Sequence, residues 1–573
     1  MVTHTMKKTL FIAALALVGL SGCQEYLDRQ PLDTPAAATY FTNEAEMNLA
    51  LTGVYSANYW VVGSVPAQVF YDLYTDIGLE RSGGLASGSF DANNGTLSTY
   101  WSFMYQTVAR ANVVIQGIER NKANVPTAVY NRLQGEAKVL RAWAYYHLMG
   151  NFGDVPFYTD PLTTEQFYTL ARTERAKIAD FLLTDLDDAA AKLDWASRER
   201  GRVNRGVAIG LQSKIALLLG RNQVAADAAK KVIDGAFYGL NPRFQDLFTL
   251  AGQQTNVSRE IMFEQVLPTD AAFPVSFIAL GQGSRTLAGQ SGRFPLQALV
   301  DKFETIDGKR IDESTLYNPA RPRERRDPRL KFTVSVEGDT ITATASNVRR
   351  RAIFNIYEAT TPVFNFNTGT YASGANVDLT NPFGPVLNGM GVLWSKFTLD
   401  DAQDMFTSKT GFTYMRYAEI LLTYAEAKIE LNQIDATVIS AMNTVRRRAG
   451  MPNVDPIIAG NQLKMRQLIR RERVVELANE GIHLFDMRRW NTGQLSMNTL
   501  VFGASRTRTA TAPTPTFGAA GSETDLNDIP NYTAGSALRL RREQRTYTER
   551  NNLFPIPQRE RDVNKALTQN KDW

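Results

Sequence analysis

The chain has 573 residues, of which 44% are hydrophobic and 21% are charged, the ordinary composition of a globular protein. The formal net charge is only +5 and the arginine clusters are scattered, which argues against nucleic acid as a partner. A single cysteine excludes a disulfide within the chain. Because there is no HExxH motif, no cysteine ligand set and no complete dinucleotide-binding loop, the sequence predicts neither a metal site nor a cofactor.

The N-terminus has the order of a secretory signal. Two lysines precede an apolar run, residues 10–20, which is followed by Ser21-Gly22-Cys23. The run is shorter than the roughly 20 residues that a membrane-spanning helix needs, so residues 1–22 are predicted to be a removable signal peptide. The residues around Cys23 resemble a bacterial lipobox. We therefore expect lipid attachment at Cys23, with residues 23–40 as the tether.

Residues 41–240 are predicted to be mainly helical. Asn43 and Glu46 have the spacing of a capping box in front of a segment with helical periodicity. After loop-like residues rich in Gly, Ser and Asn, helical spacing resumes in residues 101–112 and again in residues 133–148.

Two helical hairpins are predicted farther along the chain. Residues 207–219 and 222–234 form the first, and small side chains on its first helix, such as Gly210, allow a neighbour to approach closely. A similar pair follows at residues 414–432 and 439–449. Helix pairs of about 34 residues that cannot bury their apolar faces alone indicate tetratricopeptide-like units.

Residues 241–410 are predicted to be rich in loops, an arrangement suited to presenting a site. Apolar and polar residues alternate on both sides of Gly338-Asp339, from Phe332 to Val336 and from Ile341 to Ala343, which predicts a β-hairpin. Residues 411–573 return to helical patterns. Within them, residues 502–535 are rich in Thr, Ala, Pro, Gly and Ser and are predicted to form a long surface loop.

Several motifs occur in a fixed order along the chain. They are residues 140–146 (LRAWAYY) with 153–156 (GDVP), 300–304 (VDKFE) with 326–330 (RDPRL), 416–427 (RYAEILLTYAEA), 445–450 (VRRRAG), 471–477 (RERVVEL), 488–490 (RRW) and 553–557 (LFPIP). This series, behind a lipobox, resembles the signatures of the RagB/SusD family over nearly the whole chain. Glu419 and Glu426 within it are expected to pair with arginines of residues 445–448 or 470–473 and to brace the scaffold.

The resemblance implies a mainly α fold, in which a tetratricopeptide-like helical-pair scaffold supports an irregular, loop-rich middle with a few short β-hairpins. It also implies a lipoprotein anchored in the outer membrane and facing the extracellular side. Such a protein caps a SusC-like TonB-dependent barrel, captures a nutrient, most often an oligosaccharide or polysaccharide, and passes it to the barrel. No bond is broken, so the resemblance implies that the chain is not an enzyme.

Sugar recognition needs aromatic faces that stack on pyranose C–H surfaces and planar amide or guanidinium groups that bond hydroxyls. Two loop-rich stretches offer that mixture. The candidates in the first are Tyr59, Trp60, Phe90, Asn93, Asn94 and Tyr100, and those in the second are Phe273, Phe277, Gln282 and Arg285. We favour the first stretch, especially Asn93, Asn94 and Tyr100. Packing or an ordinary loop surface is the alternative interpretation for each of these residues.

Three other functions stay open at this point. A secreted glycoside hydrolase needs two carboxylates about 5 to 9.5 Å apart, and 58 acidic residues do not exclude such a pair. No local catalytic motif supports it, however. A tetratricopeptide-like array could instead act as an assembly factor that binds peptides. Finally, the same capture mechanism could serve peptides or another nutrient instead of glycans.

Overall fold

The computed structural model describes residues 40–270 and 272–573. The predicted signal peptide, the lipid-attachment residue Cys23 and nearly all of the tether lie outside the described residues and stay predictions. About 45% of the described residues are helical and the strands are short. The predicted fold class, mainly α with a few hairpins, is therefore confirmed. Among the described residues, no helix combines the length and the apolarity needed to cross a membrane.

Nine α-helices of 13 residues or more occur in the described part of the chain. They are α1 (Glu44–Ala57), α2 (Gly95–Arg120), α3 (Thr127–Phe152), α4 (Arg175–Lys192), α5 (Arg205–Leu218), α6 (Asn222–Asp234), α7 (Tyr417–Glu430), α8 (Ala436–Arg448) and α9 (Gln462–Leu477). Each helix from α1 to α6 packs against the next one in sequence, α6 packs against α7, and α7 packs against both α8 and α9. The stack is thus continuous, although a long irregular segment separates α6 from α7.

Short helices complete the helical part. They are Val69–Leu73, Thr164–Thr169, Leu250–Thr255, Ile278–Gln282, Gln297–Lys302, Leu330–Thr333, Val377–Thr380, Pro456–Ala459, His483–Arg489, Gly493–Met497, Glu523–Leu526 and Gln558–Val563, with 3-10 turns at Gly84–Ser87, Lys122–Asn124, Phe244–Phe248, Arg285–Leu287, Ser536–Leu538 and Glu549–Asn552.

The first predicted helical hairpin is confirmed as α5 and α6. The side chain of Asn204 caps α5, because its Oδ1 accepts a hydrogen bond from the backbone N–H of Val207 at 3.0 Å. Gly210 allows the close approach that its small size predicts. A Cβ atom at this position would lie only 2.8 Å from Sδ of Met415, so a larger residue would push the two segments apart.

The second predicted pair is confirmed as α7 and α8, with two boundaries corrected. The helix α8 begins at Ala436 and not at Ile439. The helix α7 begins at Tyr417 and not at Tyr414, because Thr413–Arg416 is extended and pairs with another strand. Asp435 caps α8 by accepting from the backbone N–H of Thr437 at 2.9 Å. Gly450 follows α8 with a φ of +79°, a backbone conformation that suits glycine at a helix end.

Sixteen short strands occur in the described residues. They are β1 (Val61–Val62), β2 (Val65–Pro66), β3 (Gly78–Glu80), β4 (Val155–Pro156), β5 (Arg172–Thr173), β6 (Ile261–Glu264), β7 (Arg293–Pro295), β8 (Val334–Ser335), β9 (Thr340–Ala345), β10 (Val348–Ile353), β11 (Thr360–Asn365), β12 (Thr370–Ala375), β13 (Leu393–Trp394), β14 (Thr413–Arg416), β15 (Leu500–Ser505) and β16 (Arg539–Gln544). One antiparallel sheet has four strands in the order β12-β11-β10-β9, and the other strands pair two by two.

The predicted β-hairpin around Gly338-Asp339 is wrong in its pairing. β8 pairs with β13, which lies far away in sequence, and β9 pairs with β10. The turn between β9 and β10 is formed by Ser346 and Asn347, which both have positive φ angles, as a tight two-residue hairpin turn requires. Gly338 and Asp339 instead bond to the backbone of Phe354 at the other end of this hairpin.

The charged residues of the C-terminal motifs take part in a buried ionic network. Glu426 pairs with Arg473 at 3.2 Å, as expected. The partner expected for Glu419 is wrong, because Glu419 bonds Lys214 of α5. Both contacts join helices that are neighbours in the stack, so these carboxylates brace the scaffold.

Candidate functional site

Three segments that are distant in sequence converge on one surface and contribute Arg81, Arg285 and Phe383. Arg81 directly follows β3, and its backbone N–H donates to the carbonyl oxygen of Gly292 at 2.9 Å, beside β7. The ring centroid of Phe383 lies 4.9 Å from Cζ of Arg81 and 5.5 Å from Cζ of Arg285. The side chain of Phe383 is nevertheless 55% exposed. We call these three residues the Arg81–Phe383–Arg285 cluster.

Hydrogen bonds to the protein hold both arginines of the cluster in place. The buried carboxyl of Asp378 accepts from the backbone N–H of Arg285 at 2.8 Å. Nε of Arg285 donates to the carbonyl oxygen of Phe383 at 3.1 Å. Nη1 of Arg81 donates to the carbonyl oxygen of Gln290 at 3.0 Å. The cluster is therefore preorganised, which lowers the entropy cost of binding a ligand.

The cluster carries positive charge on its two guanidinium groups. Partial burial lowers the pKa of Arg285, and the positive charge of Arg81 lowers it further. The guanidinium nevertheless keeps its charge at neutral pH, since arginine is not deprotonated in proteins. An exposed aromatic face beside two planar hydrogen-bond donors is the combination that recognition of a sugar hydroxyl pair and its adjoining C–H surface requires.

Two of the predicted ligand residues in the first stretch are core residues, which corrects the prediction. Trp60 is 0% exposed, and its Nε1 donates to Oγ1 of Thr107 on α2 at 3.1 Å. Tyr100 is also buried, with its hydroxyl 3.2 Å from the hydroxyl of Tyr74. Because other segments cover both side chains and satisfy their polar atoms, neither can contact a ligand in this structure.

Phe90, Asn93 and Asn94, also from the first stretch, make no contact with the Arg81–Phe383–Arg285 cluster among the described residues. Asn94 is the N-cap of α2, where its Oδ1 accepts from the backbone N–H of Thr96 at 3.0 Å. Asn93 is exposed next to it. Phe90 is half-buried and packs with its ring centroid 4.9 Å from that of Trp573. A local structural function thus accounts for Asn94 and Phe90.

The second stretch supplies one member of the cluster, Arg285. The prediction for Gln282 is wrong, because this residue belongs to the core. It is 0% exposed and exchanges two side-chain hydrogen bonds, of 3.0 and 3.1 Å, with Asn479. Phe277 is half-buried against the hydrophobic core. Phe273 is 75% exposed and so stays accessible to a ligand.

Tyr59 lies in a separate surface cavity of about 360 Å³ that Pro274 also lines. The two predicted stretches therefore meet here. Partial burial raises the pKa of Tyr59 to about 12, so its hydroxyl stays protonated and can donate a hydrogen bond. Of the charged residues that line the cavity, Arg200 and Glu264 already form a two-pronged ion pair with distances of 2.7 and 2.8 Å, and Arg202 pairs with Glu136 at 3.6 Å.

Two other cavities have polar groups that the protein itself already uses. One of about 490 Å³ is lined by Tyr532, which donates to Asp301 at 2.8 Å, and by Arg545, which donates to two backbone carbonyl oxygens. The other, of about 290 Å³, is lined by Arg508, which bonds two glutamates, and by Arg539, which bonds a backbone carbonyl oxygen. The exposed Arg81–Phe383–Arg285 cluster is therefore the better candidate for a ligand contact.

The sequence interpretation missed Arg81 and Phe383. Phe383 stands in Asn381-Pro382-Phe383-Gly384-Pro385, where two prolines and a glycine surround a single aromatic residue. Such a segment predicts a rigid loop that cannot bury its aromatic side chain in a helix or strand. Arg81 precedes Ser82-Gly83-Gly84, another loop signal. Neither signal shows that the two loops meet.

The described residues contain no group of three or more His, Cys, Asp or Glu side chains positioned to hold a metal ion. The two histidines among the described residues have different surroundings. His483 bonds Asp76 through Nε2 at 2.7 Å, whereas His147 is buried among aromatic rings.

Comparison with known families covers most of the chain. A family model described as "SusD family" matches residues 269–573, and a second, described as "Starch-binding associating with outer membrane", matches residues 25–217. SusD-like protein P25 of Formosa agariphila is 24% identical over 511 residues, which cover 84% of this chain and 90% of that protein. A SusD-like protein of Bacteroides ovatus is 26% identical over 263 residues, 42% of this chain and 46% of that protein.

Solved structures share the fold over the same extent. A SusD-like carbohydrate binding protein from Bacteroides fragilis superposes with a TM-score of 0.74 and 23% identity, covering 92% of this chain and 99% of that one. A laminarin binding SusD-like protein superposes with a TM-score of 0.64 and 18% identity, covering 93% of this chain and 100% of that one. The chain belongs to the SusD family, because the model of that family matches more than half of the length of the chain.

Proposed function

We propose that this chain is a surface-exposed outer-membrane lipoprotein that binds a nutrient glycan and delivers it to a SusC-like TonB-dependent transporter. Membership of the SusD family supports binding without catalysis, and the description of the matched N-terminal model supports association with the outer membrane. The lipobox-like residues around Cys23 support a lipid anchor in that membrane.

The single observation that carries glycan binding is the Arg81–Phe383–Arg285 cluster. A half-exposed aromatic ring close to two fixed guanidinium groups offers an aromatic surface and several N–H donors at one place on the protein. Structural relatives described as carbohydrate binding or laminarin binding support the same ligand class. Asn93, Phe273 and Tyr59, which stay accessible, are proposed as secondary contacts.

Replacement of Phe383 by alanine tests the cluster. We expect Phe383→Ala to weaken glycan binding about fivefold, because the loss of one stacking contact removes roughly 1 kcal/mol of binding free energy. The measurement is calorimetric titration of the chain starting at Gln24 against neutral polysaccharides, oligosaccharides and peptides. Tyr168→Ala is the matched control, since Tyr168 is an exposed aromatic residue at 46% on a different element.

Each outcome of this titration has one meaning. Equal affinity of the wild type and Phe383→Ala would remove the cluster from the binding surface. Binding of peptides without binding of glycans would favour the alternative nutrient class. The appearance of new reducing ends during the titration would favour a glycoside hydrolase and overturn the proposal of capture without catalysis.

A further inference from the structure

The four-stranded sheet β9–β12 has one face that packs on the protein and one that does not. Ala345 of β9 is buried with Leu280 and Met405, and Ala343 packs beside it. Because successive side chains of a strand alternate between the two faces, Thr342 and Thr344 point to the opposite face. The cross-strand partners of these threonines therefore define an outer surface.

That outer surface carries a continuous row of aromatic side chains. Phe364 lies directly opposite Arg351 on one side and opposite Tyr371 on the other. The ring centroids of Phe364 and Tyr371 are 4.9 Å apart, and those of Phe364 and Phe366 are 5.0 Å apart. Tyr371 is 64% exposed and Phe366 is also exposed. Phe364 is half-buried between them. Exposed aromatic rings that are grouped in this way mark a candidate interaction surface.

Two guanidinium groups lie over these rings. Cζ of Arg349 is 4.4 Å from the ring centroid of Phe366, and Cζ of Arg351 is 5.1 Å from that of Phe364. Nη2 of Arg351 donates to the hydroxyl of Tyr371 at 3.2 Å. We call Arg349, Arg351, Phe364, Phe366 and Tyr371 the arginine–aromatic ladder.

The ladder carries a net positive charge. Its one ion pair within the part of the chain that the structure describes joins Arg349 to Asp401 at 2.7 Å. Arg351 is held by aromatic contacts and by a neutral hydroxyl, so its charge is not balanced by a carboxylate. Stacking of guanidinium groups on rings does stabilise a sheet, but this alone does not require that the rings stay exposed.

We propose that the arginine–aromatic ladder binds an acidic polysaccharide, in which sugar units carry carboxylate or sulfate groups. The aromatic faces provide stacking surfaces for the sugar rings. The planar guanidinium groups match the paired oxygens of a carboxylate or sulfate and donate two parallel hydrogen bonds to them. The inference rests on the proposed glycan-binding function and adds the charge class of the glycan, which a cationic surface selects.

The test is a titration of the chain starting at Gln24 with three probes: a polyuronate, a sulfated galactan and a neutral β-glucan. We expect Arg349→Ala/Arg351→Ala to weaken binding of at least one acidic probe about tenfold or more while binding of the neutral glucan changes by less than about twofold. Added salt should weaken binding of the acidic probe to the wild type, since it screens exposed charges. Comparison of the affinities for the polyuronate and the sulfated galactan shows whether the ladder prefers carboxylate or sulfate groups.

Arg350→Ala is the matched control, because Arg350 belongs to the same strand but alternates to the opposite face. We expect this variant to bind like the wild type. Tyr371→Ala is a second variant whose side chain is largely exposed, so its folding is not at risk. It should also lose affinity for the acidic probe. Melting temperatures check that each variant is folded.

Four results would overturn the proposal. The wild type could bind acidic probes no more tightly than the neutral glucan, or the double variant could bind like Arg350→Ala. In either of these two cases, binding of the neutral glucan that Phe383→Ala weakens would leave the proposed function standing while the ladder proposal fails. If the double variant changes only the oligomeric state, the ladder is a self-association surface. Absence of binding to all three probes would overturn both proposals.

Discussion

At the scale of single residues, His147 illustrates how burial controls protonation. Its ring lies 4.7 Å from the ring of Trp143, 5.1 Å from that of Trp60 and 5.6 Å from that of Phe485, measured between centroids. Among the described residues, neither ring nitrogen has a hydrogen-bond partner. Burial lowers the pKa of His147 well below 6.5, and the positive charge of Lys214 lowers it further. The folded protein therefore holds this histidine neutral.

A pH dependence of stability follows from this environment. Below pH 6.5 the unfolded chain binds a proton at His147 and the folded chain does not, so the free energy of unfolding falls as the pH falls, by roughly 1.4 kcal/mol per pH unit. We expect His147→Leu to lose this contribution. Urea unfolding of both proteins at about pH 7 and about pH 5 measures it. Burial raises the pKa of Asp72 to about 6, which acts in the opposite direction, but it acts in both proteins and cancels in the comparison. Equal pH dependence of the two proteins would contradict this prediction.

At the scale of the elements, the buried ionic network joins the C-terminal helices to the irregular middle of the chain. Glu476 of α9 bonds Arg416 at the start of α7 at 2.6 Å and Arg329 of the middle segment at 2.9 Å, and it also bonds Arg448 of α8. Burial raises the pKa of Glu476, but the three arginines outweigh this effect and hold the pKa well below 4.5. One carboxylate thus connects the consecutive helices α7, α8 and α9 with a middle segment that is distant in sequence.

Removal of that carboxylate charge tests the network. We expect Glu476→Gln to lower the free energy of unfolding by about 3–5 kcal/mol, because it leaves buried guanidinium groups without their counter-charge. Glu324→Gln is the matched control. Glu324 pairs with Arg321 at 3.6 Å on the surface, and its loss should cost less than about 1 kcal/mol. Denaturant unfolding of the three proteins measures both values, and similar stabilities of the two variants would contradict the prediction.

At the scale of the whole molecule, the long helices form a continuous stack, and the two proposed ligand surfaces lie in segments outside it. The Arg81–Phe383–Arg285 cluster and the arginine–aromatic ladder both belong to segments between helices. This division is physically reasonable, because loops can present side chains that a packed helix must bury. A lipid anchor at Cys23 would tether the whole body at one end of the chain.

Replacement of the predicted lipid-attachment residue tests that anchor. We expect Cys23→Ala to move the protein from the membrane fraction to the soluble fraction, since attached acyl chains supply the membrane affinity. Fractionation of cells and detection of the protein in each fraction measure this. Gln30→Ala, in the same N-terminal segment, is the control and should stay with the membrane. A Cys23→Ala protein that still fractionates with the outer membrane would argue against lipid anchoring.

The sequence by itself determined the features that depend on neighbours in the chain. Helical periodicity predicted α5 and α6 to within about two residues at each end, because each helix depends on hydrogen bonds between residues four positions apart. The ordered motifs predicted the family, and the fold class followed from it.

Only the tertiary structure decided which loop side chains are exposed and which strands pair. Gln282 and Trp60 stand in polar, glycine-rich segments and so resemble surface residues, yet Asn479 and Thr107, which are distant in sequence, cover and bond them. Likewise β8 pairs with β13 across the irregular middle of the chain. Exposure and strand pairing are set by contacts between distant segments, and no local pattern records which distant segment will arrive.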